Sequence, residues 1–243
     1  MWALIKKEIR HYFSHPMGYL ILGGYLVLSS LFLWFFDTSY NLLNQGFLDF
    51  SPIFELTPFL FLFLIPAIGM QSFSEEKALG TIELLLTKPV GHYKLILSKF
   101  LGVFSLFSLS LLPIALHAFA MDYLIADHES IDSGQLLTGL LAILFLGSIF
   151  SAISIVSSLL FQNQVSAFLS GLFLCFIQYF GWGFLANISH SNFGFTVFSA
   201  LGIESHYKAM YRGITSLEDL IYFIGLLLIL LFFGISISKK QQE

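Results

Sequence analysis

Few side chains in this sequence could do chemistry. His11 and His15 stand four residues apart, a spacing at which two imidazoles on one helix face can share a metal ion. No third ligand lies near them in the sequence, so they read as interfacial histidines. Glu75 and Glu76 are adjacent carboxylates opening the most polar long interruption in the chain. His117 lies near the end of an apolar run. There a water-facing or hydrogen-bonded structural role fits better than a proton path. Gln178 is the one large amide deep in such a run. It either bonds to a neighbouring helix or, with Ser170, faces a conduit. Cys175 is the single cysteine, so there is no disulfide framework. The P-loop pattern G-x-x-x-x-G-K-S/T is absent, and ATP-driven work would need another polypeptide. These residues suggest no catalytic group, no metal site and no cofactor held by the chain itself.

The elements that position these groups are apolar helices. The sequence is 57% hydrophobic and 11% charged, against roughly 25% charged residues in a soluble domain. Crossing a bilayer takes about 20 apolar residues. Six runs are long enough or nearly so: 18–36, 56–73, 100–121, 136–161, 165–186 and 220–237. The expected fold is therefore an all-α integral membrane protein with a single domain over residues 1–243. Lys6, Lys7 and Arg10 precede the first run, as in a signal peptide. The run is long for that, however, and it ends in Phe32, Trp34, Phe35 and Phe36, so it is expected to stay uncleaved. Residues 2–13 alternate apolar and charged side chains and read as an amphipathic helix in the headgroup region. Pro66 predicts a kink in the second span. Ser148, Ser151, Ser154 and Ser158 recur on one face of the fourth, beside Gly147. Small residues at that spacing fit close helix packing better than a polar pore lining. No charged residue falls inside a span as drawn. Residues 187–216 should hold short re-entrant or interfacial helices, ending near Gly213, with a capping-box-like start at Ser216 through Asp219.

Six spans put both ends of the chain on one side, with Lys6, Lys7, Arg10, Lys77, Lys88, Lys94, Lys99, Lys239 and Lys240. The other side keeps Lys208 and Arg212. The positive-inside rule places both termini in the cytoplasm and the acidic loops outside.

The polar interruption then lies in the cytoplasm. Gly80 allows a break, and Thr81 can cap a new helix with Glu83 in its first turn. Ile82, Leu85 and Leu86 share one face, Glu83 and Thr87 another, and Pro89 stops the helix. The spacing suits a handle for a soluble partner and, equally, a surface connector.

Residues 72–90, with Tyr93, Lys94 and Lys99, resemble the coupling-helix region of ABC-2 type transporter permeases, through Glu76, Gly80-Thr81, Glu83, Leu84-Leu85 and Pro89. The amphipathic start, six spans and serine-rich fourth span extend the likeness over essentially the whole chain. Residues 205–213, Asp219, Tyr222 and Phe223 further resemble the permease subunit associated with bacterial gliding motility. The resemblance implies a transport subunit, an exporter in the bacterial inner membrane, with no enzyme activity of its own. It would pair with a second permease, identical or different, around a path near the first and fifth spans. It would work with cytoplasmic ABC ATPase subunits that carry ATP and magnesium. Glu76, Gly80, Thr81, Glu83, Leu84, Leu85 and Pro89 would form the ATPase contact. Lys6, Lys7 and Arg10 would lie on the connecting helix. The bilayer is a partner and nucleic acid is not. One rival is a membrane anchor that recruits an ATPase without transporting. Another is an intramembrane protease of the E-E-x-x-x-R type, but Gly80 stands at the arginine position, and no histidine constellation completes a site.

Overall fold

The computed structural model describes residues 2–44, 49–80, 91–124, 132–189 and 191–240. Among them every regular element is helical. Twelve α-helices follow in order: α1 (Trp2–Ser14), α2 (Pro16–Ser30), α3 (Ser51–Gly69), α4 (Gln71–Ala78), α5 (His92–Ser110), α6 (Leu112–Leu124), α7 (Ser133–Leu160), α8 (Gln164–Phe176), α9 (Trp182–Ile188), α10 (Asn192–Leu201), α11 (Ile203–Tyr211) and α12 (Leu217–Lys240). Two π-helical turns, Leu31–Phe35 and Ile177–Gly181, extend α2 and join α8 to α9. Among the described residues, six helical runs are long and apolar enough to cross a membrane.

The runs are longer than the hydropathy pattern suggested. The second covers Ser51–Ala78 and the third His92–Leu124. Glu55 therefore belongs to a helix instead of a loop, and Glu75 and Glu76 occupy the last turns of α4. Lys99 lies two turns inside α5, only 2% exposed. A charged residue thus sits within a span, which the sequence pattern did not predict. Hydropathy ends a span at the first charge, whereas backbone hydrogen bonding carries a helix past it into polar surroundings.

The fourth span, α7, is the axis of the bundle: 78% of its apolar window is buried, and α3, α5, α8, α11 and α12 pack on it. Its small residues serve packing. A Cβ on Gly147 would fall 2.0 Å from the Phe107 ring of α5, so only glycine admits that approach. Ser158 has a second role. The α3–α4 break falls at Met70, one turn beyond Pro66, whose carbonyl accepts the Met70 amide at 2.9 Å. A new helix start leaves amides unpaired. Ser158 Oγ accepts from the Phe73 and Ser74 amides at 2.9 and 3.0 Å and donates to the Met70 carbonyl at 3.0 Å. The proline disturbance is thus localised and capped by a side chain from another span.

Gly80 adopts φ +68° and ends α4, a left-handed stop that a β-carbon disfavours. Gly213, at φ +88°, does the same after α11. Ser216 and Asp219 form the expected box: the Asp219 amide donates to Ser216 Oγ at 3.1 Å and the Ser216 amide to Asp219 Oδ2 at 3.2 Å. Thr81, Glu83, Leu84, Leu85 and Pro89, with the helix expected there, lie outside the described residues.

Both described chain ends fall at one end of the bundle. His92 Nδ1 and Ser238 Oγ are 3.0 Å apart, and Lys77 Nζ donates to the Leu159 carbonyl. The segment joining α4 to α5 leaves and returns at that end.

Candidate functional site

Three elements meet where the chain leaves for residues 81–90: the amphipathic α1, the end of α4 and the start of α5. Burial of Tyr12 on the inner face of α1 seats that helix, and its hydroxyl lies 3.0 Å from Ser72 Oγ. Burial pushes the Tyr12 phenol well above its ordinary range. The Ser72 hydrogen bond opposes the rise, and the nearby carboxylates of Glu8, Glu75 and Glu76 add to it. The phenol stays a neutral hydrogen-bonding group.

One turn before Tyr12, Glu8 is buried beside Lys99. Lys99 Nζ lies 3.4 Å from Glu8 Oε1 and 3.0 Å from Glu76 Oε1, and 4.9 Å from the centroid of the Phe73 ring. Lys7 approaches Glu76 from the exposed side at 3.8 Å. One ammonium group therefore holds a carboxylate from α1 and another from α4 while belonging to α5. Gly102, one turn along from Lys99, makes the approach possible: a Cβ there would fall 2.7 Å from Glu8 Cβ. Removing one member of a buried pair typically costs about 3–5 kcal/mol, because the remaining charge is stranded. The arrangement offers no nucleophile and base aligned on each other. What it can do is make three helix ends move together.

Beside this cluster, His11 Nε2 lies 3.5 Å from Glu75 Oε2. His11, His15 and Glu75 bring their ligand atoms within 4.8 Å of one another. The expectation that the histidines lack a third ligand therefore fails. Its cause is tertiary, since α1 folds back across the end of α4. His11 thus stands beside one of the paired glutamates, while Gly80 still occupies the arginine position of the protease pattern.

The opposite end of the bundle carries a second polar cluster. Tyr207 donates to the Phe54 carbonyl at 2.6 Å, and Tyr211 to Glu55 Oε1 at 2.8 Å. Tyr211 and Glu55 line a cavity of about 160 Å³ together with Tyr179, Glu204, Lys208 and Arg212. Burial, then the Glu55 hydrogen bond, pushes the Tyr211 phenol up to about 12. His206 lies 2.6 Å from Asp219 and stacks on Tyr222 with 4.1 Å between centroids.

The residues singled out within spans are held by neighbours. Trp34 Nε1 donates to His117 Nδ1 at 3.0 Å, and His117 Nε2 lies 3.0 Å from Ser29 Oγ. His117 is therefore hydrogen-bonded and buried, not facing water. Gln178 sits in the second π-helical turn. Its amide donates to Tyr222 at 3.2 Å and accepts from Trp182 at 3.0 Å. Of the two roles left open for it, the cross-helix bond is present. Ser170 donates back to the Ala167 carbonyl at 3.1 Å.

Of the expected coupling residues, the structure describes Glu76, turned inward onto Lys99, and Gly80 at the helix stop. Lys6, Lys7 and Arg10 are exposed on α1. Sequence reasoning missed Glu8, Lys99 and Glu75 as tertiary partners. The legible signals were a lysine one turn before a glycine in an apolar stretch, and the single acid within the basic first helix.

A search of curated proteins finds no match to this chain. A family comparison matches residues 3–241 to the description "ABC-2 family transporter protein". Together with the six membrane-spanning runs, a match over essentially the whole chain identifies a multi-pass membrane protein that belongs to the ABC-2 transporter family.

Proposed function

We propose that this chain is the membrane-spanning subunit of an ABC exporter, driven by separate cytoplasmic ATPase subunits that carry ATP and magnesium. The observation that carries this reading is the buried Lys99 between Glu8 and Glu76. It ties together the two helices that flank residues 81–90 and fastens both to α1. A push on that segment is then delivered to three helices at once. Packed helices respond to such a displacement by switching between discrete arrangements, not by bending continuously. Glu83, Thr81, Leu84, Leu85 and Pro89 meet the ATPase, and Glu76 acts behind them by holding the lever to the bundle.

The end of the bundle with the termini faces the cytoplasm of a bacterial inner membrane. Support comes from the described basic residues at that end, Lys6, Lys7, Arg10, Lys77, Lys94, Lys99, Lys239 and Lys240, against Lys208 and Arg212 at the other. A second permease, identical or different, covers the first and fifth spans. Their apolar windows are 28% and 17% buried within the chain and that of the sixth span 11%, so the choice of the first and fifth rests on the family resemblance and not on burial. The narrower assignment to a gliding-motility system rests on the likeness of residues 205–223 alone.

The test is reconstitution with the ATPase that copurifies. The wild-type chain should stimulate ATP hydrolysis, and Glu83→Arg should abolish stimulation while leaving the complex intact. Normal stimulation and transport by Glu83→Arg would overturn the coupling role. A wild-type chain that binds the ATPase without altering its rate would be an anchor.

A further inference from the structure

The histidine pair beside the α1–α2 junction acquires in the folded chain a carboxylate from another helix. In a tetrahedral site with metal–ligand bonds of about 2.0–2.2 Å, neighbouring ligand atoms lie about 3.3–3.6 Å apart. His11 Nε2 and Glu75 Oε2 are already 3.5 Å apart. All three ligand atoms lie within 4.8 Å of one another, and His15 is exposed, with its ring centroid 4.8 Å from that of His11. The His11 and Glu75 side chains are 36% and 25% exposed, so an ion reaches them without opening the core.

Charge points the same way. The adjoining cavity of about 190 Å³ is lined by the carboxylates of Glu8, Glu75 and Glu76 and by the ammonium groups of Lys7 and Lys99. Lys99 pairs with Glu8 and Glu76, Lys7 with Glu76, and Glu75 with His11. Among the described residues, Glu8 and Glu76 take the two lysines, and the Glu75 carboxylate is directed at the imidazole side of the cavity. Two nitrogen donors with one carboxylate suit zinc and its neighbours, whereas magnesium and calcium prefer all-oxygen sites.

We propose that His11, His15 and Glu75 bind one divalent transition-metal ion of the zinc class, with water in the fourth position. The ion pins α1 to α4. Because ligands come from both helices, it stabilises the folded junction and binds the unfolded chain poorly.

The test uses the purified full-length chain in detergent, carrying an affinity tag free of histidine. Cobalt is titrated by its visible absorption, then displaced by zinc against a chromophoric chelator. One ion per chain is expected, with a rise in thermal midpoint on zinc addition. Glu75→Gln and His15→Ala should each weaken zinc binding by about tenfold or more, and His92→Ala should leave it unchanged. His15 is exposed, so its variant reports on binding even if Glu75→Gln disturbs the fold. Three results overturn the site: no saturable binding of one ion, unchanged affinity in both ligand variants, or equal loss in His92→Ala.

Discussion

Lys99 Nζ lies 3.0 Å from Glu76 Oε1, so the helices on either side of residues 81–90 are joined through charge as well as through the chain. The pair is asymmetric, since the Lys99 side chain is 2% exposed and Glu76 17%. Lys99→Met removes the cation facing the buried Glu8 and should cost about 3–5 kcal/mol. Adding Glu8→Met and Glu76→Met to the same chain should recover most of it, because well-packed hydrophobic side chains of similar volume replace a buried ion cluster at close to no cost. Thermal unfolding in detergent, followed by helicity, measures both. A single variant as stable as the wild type would show that the junction bears no load.

Gly147 decides between two opposed effects. Alanine favours a helix over glycine by about 1 kcal/mol. Its Cβ would nevertheless fall 2.0 Å from the Phe107 ring, and overpacking costs about 1–3 kcal/mol. Gly147→Ala should therefore lower the thermal midpoint, and Phe107→Leu in the same chain should restore part of it. A raised midpoint in Gly147→Ala alone would deny the contact between α5 and α7.

The chain of bonds through His117 fixes its tautomer. Trp34 donates to Nδ1, so the ring hydrogen sits on Nε2 and is donated to Ser29 Oγ, whose own hydrogen goes to the Leu26 carbonyl at 3.2 Å. His117→Leu leaves Trp34 without an acceptor and Ser29 without a donor. An unsatisfied buried polar group costs about 1–3 kcal/mol. The loss should appear in thermal unfolding, and pairing the variant with Trp34→Phe should reduce it.

Tyr211 gives a pH dependence of known sign. Its folded value of about 12 exceeds the ordinary phenol value of about 10. The stability it contributes is therefore complete below pH ~10 and is lost as pH rises through ~12. Thermal midpoints measured from pH 9 to 12 should fall less steeply in Tyr211→Phe than in the wild type. Parallel curves would contradict the Glu55 contact and the burial that raise the phenol.

Sidedness has a direct chemical readout. Cys175 is buried and the only cysteine, so Cys175→Ala supplies a silent background. Lys94→Cys and Lys208→Cys place thiols on exposed positions at opposite ends of the bundle. In intact spheroplasts a membrane-impermeant maleimide should label position 208, and position 94 only after lysis. Labelling of both in intact spheroplasts would refute the six-span arrangement.

Local chemistry determined much of this protein. Bilayer thickness sets the length of an apolar run, so six spans, the amphipathic first helix, the Gly80 and Gly213 stops and the Ser216–Asp219 box were all legible in order. Packing of the fourth span was legible too, because only small residues at helical spacing allow close approach. Tertiary structure decided which polar groups meet. Glu8 and Lys99 are 91 residues apart, Phe73 and Ser158 85, and Tyr211 and Glu55 156. Nothing in a one-dimensional pattern distinguishes a lysine facing headgroups from one turned between two carboxylates. That choice depends on the desolvation of the charge and on whether a partner helix arrives to compensate it, and it is made only when the helices pack.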